Sequence, residues 1–200
     1  MIVLGLTGSI GMGKSTVARL FSEEGVPVFE ADEAVHALYR GAAAGLVEAE
    51  FPGTTRDGEV DRPVLGRAVF NDPAALARLE AIVHPLVREM ERSFVEGARA
   101  SGAPLAVIDI PLLLEKGGEG RVDLIAVVSA PHGVQRERVL RRDGMTEEKF
   151  KSVLARQMPD HEKRARADII INTDGPIEDT RRAVQDVVKR FTESPPPARD

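Results

Sequence analysis

The segment from Gly5 to Thr16, GLTGSIGMGKST, combines closely spaced glycines with a lysine and four hydroxyl residues. Its core fits the pattern G-x-x-x-x-G-K-S/T, in which backbone N–H groups surround an anion. Glycines allow the tight turns, and the N-terminus of a following helix adds partial positive charge. We therefore expect the phosphate-binding residues to be Gly8, Ser9, Ile10, Gly11, Met12, Gly13, Lys14, Ser15 and Thr16.

Two of these residues have distinct expected roles. Lys14 would reach the β- and γ-phosphates as a movable charge, and the Ser15 hydroxyl would ligate magnesium. An ordinary glycine-rich turn is the alternative. The context favours the phosphate site, because an apolar strand precedes the glycines and the helical segment KSTVARLFSEE follows them.

Apolar runs of strand length recur along the chain, separated by segments with helical periodicity. They are IVLGL, VPVF, LAVIDI, DLIAVV and DIII. Runs that are apolar on both faces are typical of a parallel sheet covered by helices. We predict one α/β domain over 1–200, a three-layer sandwich with a five-stranded parallel sheet.

Two regions fall outside this alternation. Residues 32–102 contain helical stretches and no convincing strand, so we predict a helical, substrate-binding insertion. The last residues, 194–200, read SPPPARD. Consecutive prolines cannot continue a helix, and we expect this tail to be extended and disordered.

Polar residues follow several of the predicted strands, at the edge where open parallel sheets bind ligands. Asp32 could accept the proton of an attacking hydroxyl, or it could cap the helix EAVHALYR. Asp109 is expected near magnesium, with a structural turn as the alternative. Asn172 ends the run DIIIN.

The composition restricts the class of protein. A net charge of -5 argues against a general nucleic-acid binder. The absence of cysteine excludes disulfides and thiolate zinc sites. The apolar N-terminus is only about six residues long, too short for a signal-peptide core or a membrane span. We expect a cytoplasmic protein without a membrane partner.

The segment 131–167 contains 10 Lys/Arg against 6 Asp/Glu, which favours a small polyanionic ligand. Arg138, Arg141 and Arg142 are spaced for one helix, and Gly144 would act as a hinge before a second helix. We predict a helical lid over 138–167, with a solvated charged face as the alternative.

Two further segments contain candidate site residues. In IVHPLVR, Pro85 should kink or restart a helix and could aim His84 or Arg88 into a substrate pocket. A packed, hydrogen-bonded histidine is an equal alternative. In DIPLLLEKG the leucines should enter the core, while Glu115 is either a solvated acid or a ligand contact.

Together these segments resemble the dephospho-CoA kinase family, P-loop kinases that phosphorylate the ribose 3′-hydroxyl of dephospho-CoA. The resemblance covers nearly the whole chain. It is carried by GLTGSIGMGKST, EAD, LEAIVHPLVR, DIPLLLE, RRDGMTEEKF and ADIIINTDG. It implies a P-loop NTPase kinase-like core, a substrate subdomain, a mobile lid, ATP and Mg²⁺. A monomer or small homo-oligomer is expected.

The resemblance also implies roles for individual residues. The segment 8–16 would bind the ATP phosphates, Asn172 would lie near the base, and Arg142 would approach the phosphates from the lid. Asp32 would face the acceptor hydroxyl. The acceptor site would further include His84, Arg88, Asp109 and Leu113.

The chain departs from the family pattern at several positions. Glu30 replaces a frequent aspartate, and Ser9 and Met12 replace frequent glycine and serine. Val153 stands where a lid arginine is often found, and Arg156 is a candidate to compensate. The rival functions are another small-molecule kinase with the same core and a nucleotide-dependent switch. The sequence lacks the N-K-x-D string typical of guanine-specific switches.

Overall fold

The computed structural model describes residues 1–70 and 72–193, so the predicted tail at 194–200 lies outside the described residues. The chain divides into two compact units. One consists of Met1–Phe29 with Gly97–Asp200, and the other is Glu30–Glu96. The predicted insertion at 32–102 overlaps the second unit.

The strands, numbered along the chain, are β1 (Ile2–Thr7), β2 (Val28–Glu30), β3 (Thr55–Arg56), β4 (Glu59–Val60), β5 (Leu105–Asp109), β6 (Leu124–Ser129) and β7 (Ile169–Asn172). The helices are α1 (Lys14–Glu23), α2 (Ala31–Tyr39), α3 (Ala44–Glu50), α4 (Arg62–Val69), α5 (Pro73–Ala100), α6 (His132–Leu140), α7 (Glu147–Leu154), α8 (Asp160–Ala165) and α9 (Ile177–Glu193). None of the helices in the described part of the chain is long and apolar enough to cross a membrane.

The main sheet has the strand order β2-β5-β1-β6-β7, and all five strands match apolar runs in the sequence. The pairing of β1 with β5 is parallel and sets Leu6 opposite Asp109. The pairing of β6 with β7 is also parallel and sets Ser129 opposite Asn172. The predicted α/β sandwich with a five-stranded parallel sheet is therefore confirmed.

The largest core lies between this sheet and the helices α1 and α9. Leu4 and Leu6 of β1 are fully buried there, and so is Phe21 on the predicted apolar face of α1. Val184 of α9 completes the layer. Burying each side chain of this size contributes roughly 1.5–3 kcal/mol to the free energy of folding. The core therefore fixes the end of β1, where the loop to α1 begins.

The second unit contains a hairpin that the sequence reading missed. We expected no strand between residues 32 and 102, but β3 and β4 pair antiparallel, with Thr55 opposite Val60. Asp57 and Gly58 connect them with φ angles of 53° and 82°. Asp-Gly is the sequence signal for such a turn. The strands are too short to show an alternating pattern, which is why the periodicity did not reveal them.

Helix α5 continues through Pro85, so the predicted restart at this proline is wrong. Proline removes one backbone hydrogen bond, but the long helix retains its other turns on both sides. Its first turn is capped by Asp72, whose Oδ1 accepts from the N–H groups of Ala74 and Ala75, both at 2.9 Å.

Glu48 of α3 fastens the chain that leads into the hairpin. Its Oε1 accepts from the N–H of Gly53 at 2.7 Å, and its Oε2 accepts from the N–H and the hydroxyl of Thr55 at 2.9 and 2.7 Å. These hydrogen bonds, that from Gly53 first, lower the pKa of Glu48 below its ordinary value of 4.5. The carboxylate form is thus the one that holds the loop.

We predict that protection of the Gly53 and Thr55 amides from hydrogen exchange depends on this carboxylate. A lowered pKa in the folded state means that its stabilising effect is complete above pH 4.5 and is lost as the pH falls through the lower folded-state value. Glu48→Gln should reduce protection at neutral pH, whereas Glu59→Gln on the exposed side of the hairpin should not. Equal protection in both variants would contradict this role.

Candidate active site

The phosphate cradle is the turn between β1 and α1. Gly11 and Gly13 have φ angles of 77° and 90°, which only glycine adopts at low cost. Gly13 is the N-cap of α1 and provides no side-chain cap. The start of α1 is thus open to an anion, which the field of the helix N-terminus favours, although the N–H of Thr16 donates to the Gly13 carbonyl oxygen at 3.0 Å.

Close packing around the cradle excludes side chains at two of its glycines. A Cβ on Gly8 would lie 2.8 Å from the carbonyl oxygen of Val128. A Cβ on Gly11 would lie 2.5 Å from Cγ2 of Val139 and 2.9 Å from the carbonyl oxygen of Gln135. The loop thus packs closely against β6 and α6. The lack of space requires glycine at both positions, and the positive φ also requires it at Gly11.

Lys14 and Asp109 form an ion pair at the end of the sheet. Nζ of Lys14 donates to Oδ1 of Asp109, and the two side chains are 15% and 4% exposed. The carboxylate is brought there by β5, which neighbours β1. Asp109 therefore holds the lysine beside the cradle. The adjacent Ser15 is exposed at the start of α1.

Side chains from outside the motif hold the carbonyl groups of the cradle. The hydroxyl of Thr173 donates to the carbonyl oxygen of Met12 at 2.7 Å, and Nε2 of Gln135 donates to that of Ile10 at 2.8 Å. Arg138 donates to the Thr173 hydroxyl oxygen at 3.0 Å and also to the Thr173 carbonyl. These supporting residues were not predicted from the sequence.

A fourth supporting contact comes from Gln157, whose Oε1 accepts from the N–H of Ile10 at 3.0 Å. One signal in the sequence could have indicated the buried glutamine. Gln135 lies four residues before Val139 in α6, and both are buried, so a polar side chain occupies the apolar face of that helix.

The predicted lid contains one more helix than expected. Thr146 caps α7, the helix predicted after Gly144, by accepting from the N–H of Lys149 at 3.3 Å. The prediction that one helix would present three arginines is wrong, because α6 ends at Leu140. Arg138 bonds to the cradle support, Arg141 pairs with Glu137, and Arg142 is exposed beyond the helix end.

Glu115 is not the solvated acid that we considered, and a contact with ligand stays a prediction. Its side chain is 11% exposed and lies 2.7 Å from Nζ of Lys163, which is fully buried in α8. The same Oε1 accepts from the N–H of Met158 at 2.9 Å. Breaking such a buried pair by removing one partner typically costs about 3–5 kcal/mol. Glu115 thus anchors the end of the lid segment to the loop after β5.

A cleft of about 700 Å³ opens beside the cradle. Ser9 and Met12 line it from the cradle, and Asn172 lines it from the last residue of β7. Asp160 also faces the cleft, and its Oδ2 accepts from the Ser129 hydroxyl at 2.8 Å. The volume and the mixed polar and apolar lining are sufficient for a nucleoside.

The predicted acceptor residues of the second unit are all exposed. Asp32 lies in the first turn of α2, and Glu30 occupies the N-cap position without a side-chain cap. The alternative that Asp32 caps the helix is therefore wrong. His84 and Arg88 are exposed one turn apart on α5, so the packed-histidine alternative is also wrong.

Three other predicted positions lie in the first unit. Leu113 is 1% exposed and packs with Leu114 and Val127, as the leucine run predicted, and its role in substrate binding stays a prediction. Val153 is partly buried in α7, and Arg156 is exposed just after this helix. Compensation by Arg156 also stays a prediction.

A glycine-rich cradle between the first strand and helix, at the end of a parallel sheet with this strand order, defines a P-loop kinase fold. The family model for dephospho-CoA kinase matches residues 2–179. The chain therefore belongs to the dephospho-CoA kinase family, and it is an ATP-dependent kinase of coenzyme A biosynthesis.

Individual relatives agree with this assignment. The chain is 60% identical to a dephospho-CoA kinase of Mesorhizobium japonicum over 188 residues, which cover 94% of this chain and 95% of the relative. A solved structure from Thermus thermophilus is 40% identical with a TM-score of 0.81, covering 95% and 97% of the two chains. A dephospho-CoA kinase structure from Campylobacter jejuni is 25% identical with a TM-score of 0.68, covering 94% and 96%.

One ion pair connects the first two lid helices and yields a prediction. Arg136 of α6 donates to Oε2 of Glu147 at 2.9 Å, which lowers the pKa of this carboxyl. Arg136→Gln should therefore move the pKa of Glu147 upward, towards its ordinary value. Arg141→Gln is the control, because Arg141, just after α6, pairs with Glu137 rather than with Glu147. Carboxyl chemical shifts followed against pH would measure the change, and an unmoved Glu147 pKa would contradict the coupling.

Proposed function

We propose that this kinase transfers the γ-phosphoryl group of ATP to the ribose 3′-hydroxyl of dephospho-CoA, giving coenzyme A and ADP. The observation that carries the proposal is the phosphate cradle with Lys14 held by Asp109, in a chain of the dephospho-CoA kinase family. Catalysis at such a site consists of positioning and of stabilising charge on the transferred group.

The nucleotide is assigned to the cradle and the neighbouring cleft. Residues 8–16 provide N–H groups and the Lys14 ammonium for the ATP phosphates. The cleft of about 700 Å³, with Asn172 in its wall, receives the adenosine part. When ATP binds, Lys14 exchanges its contact with Asp109 for one with the phosphates, a movement that its flexible side chain permits.

Magnesium fits the donor set beside the cradle. Ser15 and Asp109 offer a hydroxyl and a carboxylate, and Mg²⁺ typically binds one or two such protein oxygens along with substrate phosphates. The described residues contain no group of three or more His, Cys, Asp or Glu side chains that could hold a metal ion. The ion would neutralise charge on the β- and γ-phosphates.

The acceptor residues are assigned from the resemblance to the family. Asp32 orients the 3′-hydroxyl and accepts its proton, and its exposed position just after β2 supports this role. The other residues assigned to the acceptor are His84, Arg88, Asp109 and Leu113. Arg142 approaches the transferred group from the lid, and its exposure past α6 supports that assignment. Cytoplasmic location and the oligomeric state stay predictions.

We expect the isolated protein, given ATP and Mg²⁺, to add one phosphoryl group to dephospho-CoA and none to AMP, adenosine or shikimate. Product mass identifies the acceptor, and excess chelator should abolish transfer. ATP binding without modification of dephospho-CoA would refute the acceptor assignment, while the cradle assignment would survive. Transfer to shikimate instead would favour the rival of a kinase for sugar-like alcohols.

Asp32→Asn should leave ATP binding largely intact and reduce turnover by about a hundredfold or more, as expected for loss of a general base. Glu33→Gln is the matched control, since Glu33 lies in the same exposed first turn of α2. Single-turnover kinetics separate the chemical step from product release. Equal turnover in the two variants would remove Asp32 from the mechanism.

A further inference from the structure

Two glutamines hold the backbone of Ile10 in the cradle, one at its N–H and the other at its carbonyl group. Its N–H donates to Oε1 of Gln157 at 3.0 Å, and its carbonyl oxygen accepts from Nε2 of Gln135 at 2.8 Å. Gln135 comes from α6, whereas Gln157 follows α7. Through this one residue the loop is connected to α6, just before the lid segment 138–167, and to the later part of that segment.

This arrangement answers a requirement of any anion-binding loop. When successive N–H groups turn towards an anion, the carbonyl groups turn away from it and must find donors elsewhere. In this chain the donors are Gln135 for Ile10 and Thr173 for Met12. A loop whose outer hydrogen bonds are missing must be ordered when the anion binds, which weakens binding.

Both glutamines are themselves fixed in place. Gln135 is 3% exposed, and its own carbonyl oxygen lies so close to Gly11 that a Cβ there would approach within 2.9 Å. Gln157 precedes Met158, whose N–H donates to Glu115 at 2.9 Å. Glu115 is in turn paired with the fully buried Lys163. Neither glutamine is therefore a mobile surface side chain.

We propose that Gln135 and Gln157 are positioning residues. They hold the carbonyl group and the N–H of Ile10, and so keep the cradle in the conformation that binds the ATP phosphates. This inference rests on the proposed binding of ATP at the cradle. It assigns opposite roles to two residues of the same type: Gln135 is a donor, whereas Gln157 is an acceptor. The position of the lid base thereby determines the shape of the loop.

The opposite roles give a test, because the same change from glutamine to glutamate should have different outcomes at the two positions. A glutamate at 157 can still accept from the Ile10 N–H, so Gln157→Glu should keep this amide protected from hydrogen exchange, while Gln157→Met should expose it. A glutamate carboxylate at 135 cannot donate. Gln135→Glu and Gln135→Met should therefore both shift the ¹⁵N resonance of Gly11, whose N–H shares a peptide plane with the Ile10 carbonyl.

The chain offers a matched control in Gln185 of α9, whose Nε2 donates to Glu24 at 2.8 Å, apart from the cradle. Gln135→Met and Gln157→Met should each raise the KM for ATP by about tenfold, the usual size of one lost hydrogen bond. The KM for dephospho-CoA should stay within twofold, and so should both constants in Gln185→Met. A purely structural role would instead lower the melting temperature without this separation of the two KM values.

The proposal is overturned if both cradle variants match Gln185→Met in their KM for ATP, or if Gln157→Glu loses Ile10 protection as fully as Gln157→Met. Gln157 is only partly buried, so its variants serve as the test if Gln135→Met does not fold. The resonance measurements need no substrate. Failure of the wild-type chain to phosphorylate dephospho-CoA would therefore refute the proposed function, while the two hydrogen bonds would still be tested directly.

Discussion

The structure depends on one backbone constraint, the conformation of the glycine-rich loop between β1 and α1. Two residues there adopt positive φ, and β6 and α6 approach too closely for any side chain at Gly8 or Gly11. Buried carbonyl groups in this loop need donors, which neighbouring elements must supply. Gln135 and Thr173 do so, which explains why polar side chains are buried against an otherwise apolar core.

The charge of the site follows from the order of the strands. Placing β5 beside β1 brings the Asp109 carboxylate to the lysine of the cradle, and both side chains are largely withdrawn from solvent. A lysine in such a place needs a partner, since an unpaired buried charge is costly. The ion pair keeps Lys14 near the loop, and phosphate oxygens can replace the carboxylate as its partner.

In the lid segment, too, a buried charge is paired with an opposite charge. Its end is held by Glu115, which pairs with the buried Lys163 and accepts from the Met158 N–H. Its middle is held by the exposed ion pair of Arg136 with Glu147, which solvent and salt weaken. Phe150 of α7 is 1% exposed, so burial also holds this helix, and the movement of a closing lid stays a prediction.

The sequence by itself determined the five strands, the cradle and Asp109 at a strand end, because apolar runs, glycine spacing and the polar residue that ends a run are local signals. It did not reveal the two-residue strands of the hairpin, which are too short for any period. Only the tertiary structure decided that Glu115 pairs with Lys163 and that two glutamines and Thr173 support the loop. Those partners are distant along the chain, and hydrogen bonds between distant side chains leave no periodic pattern in a single sequence.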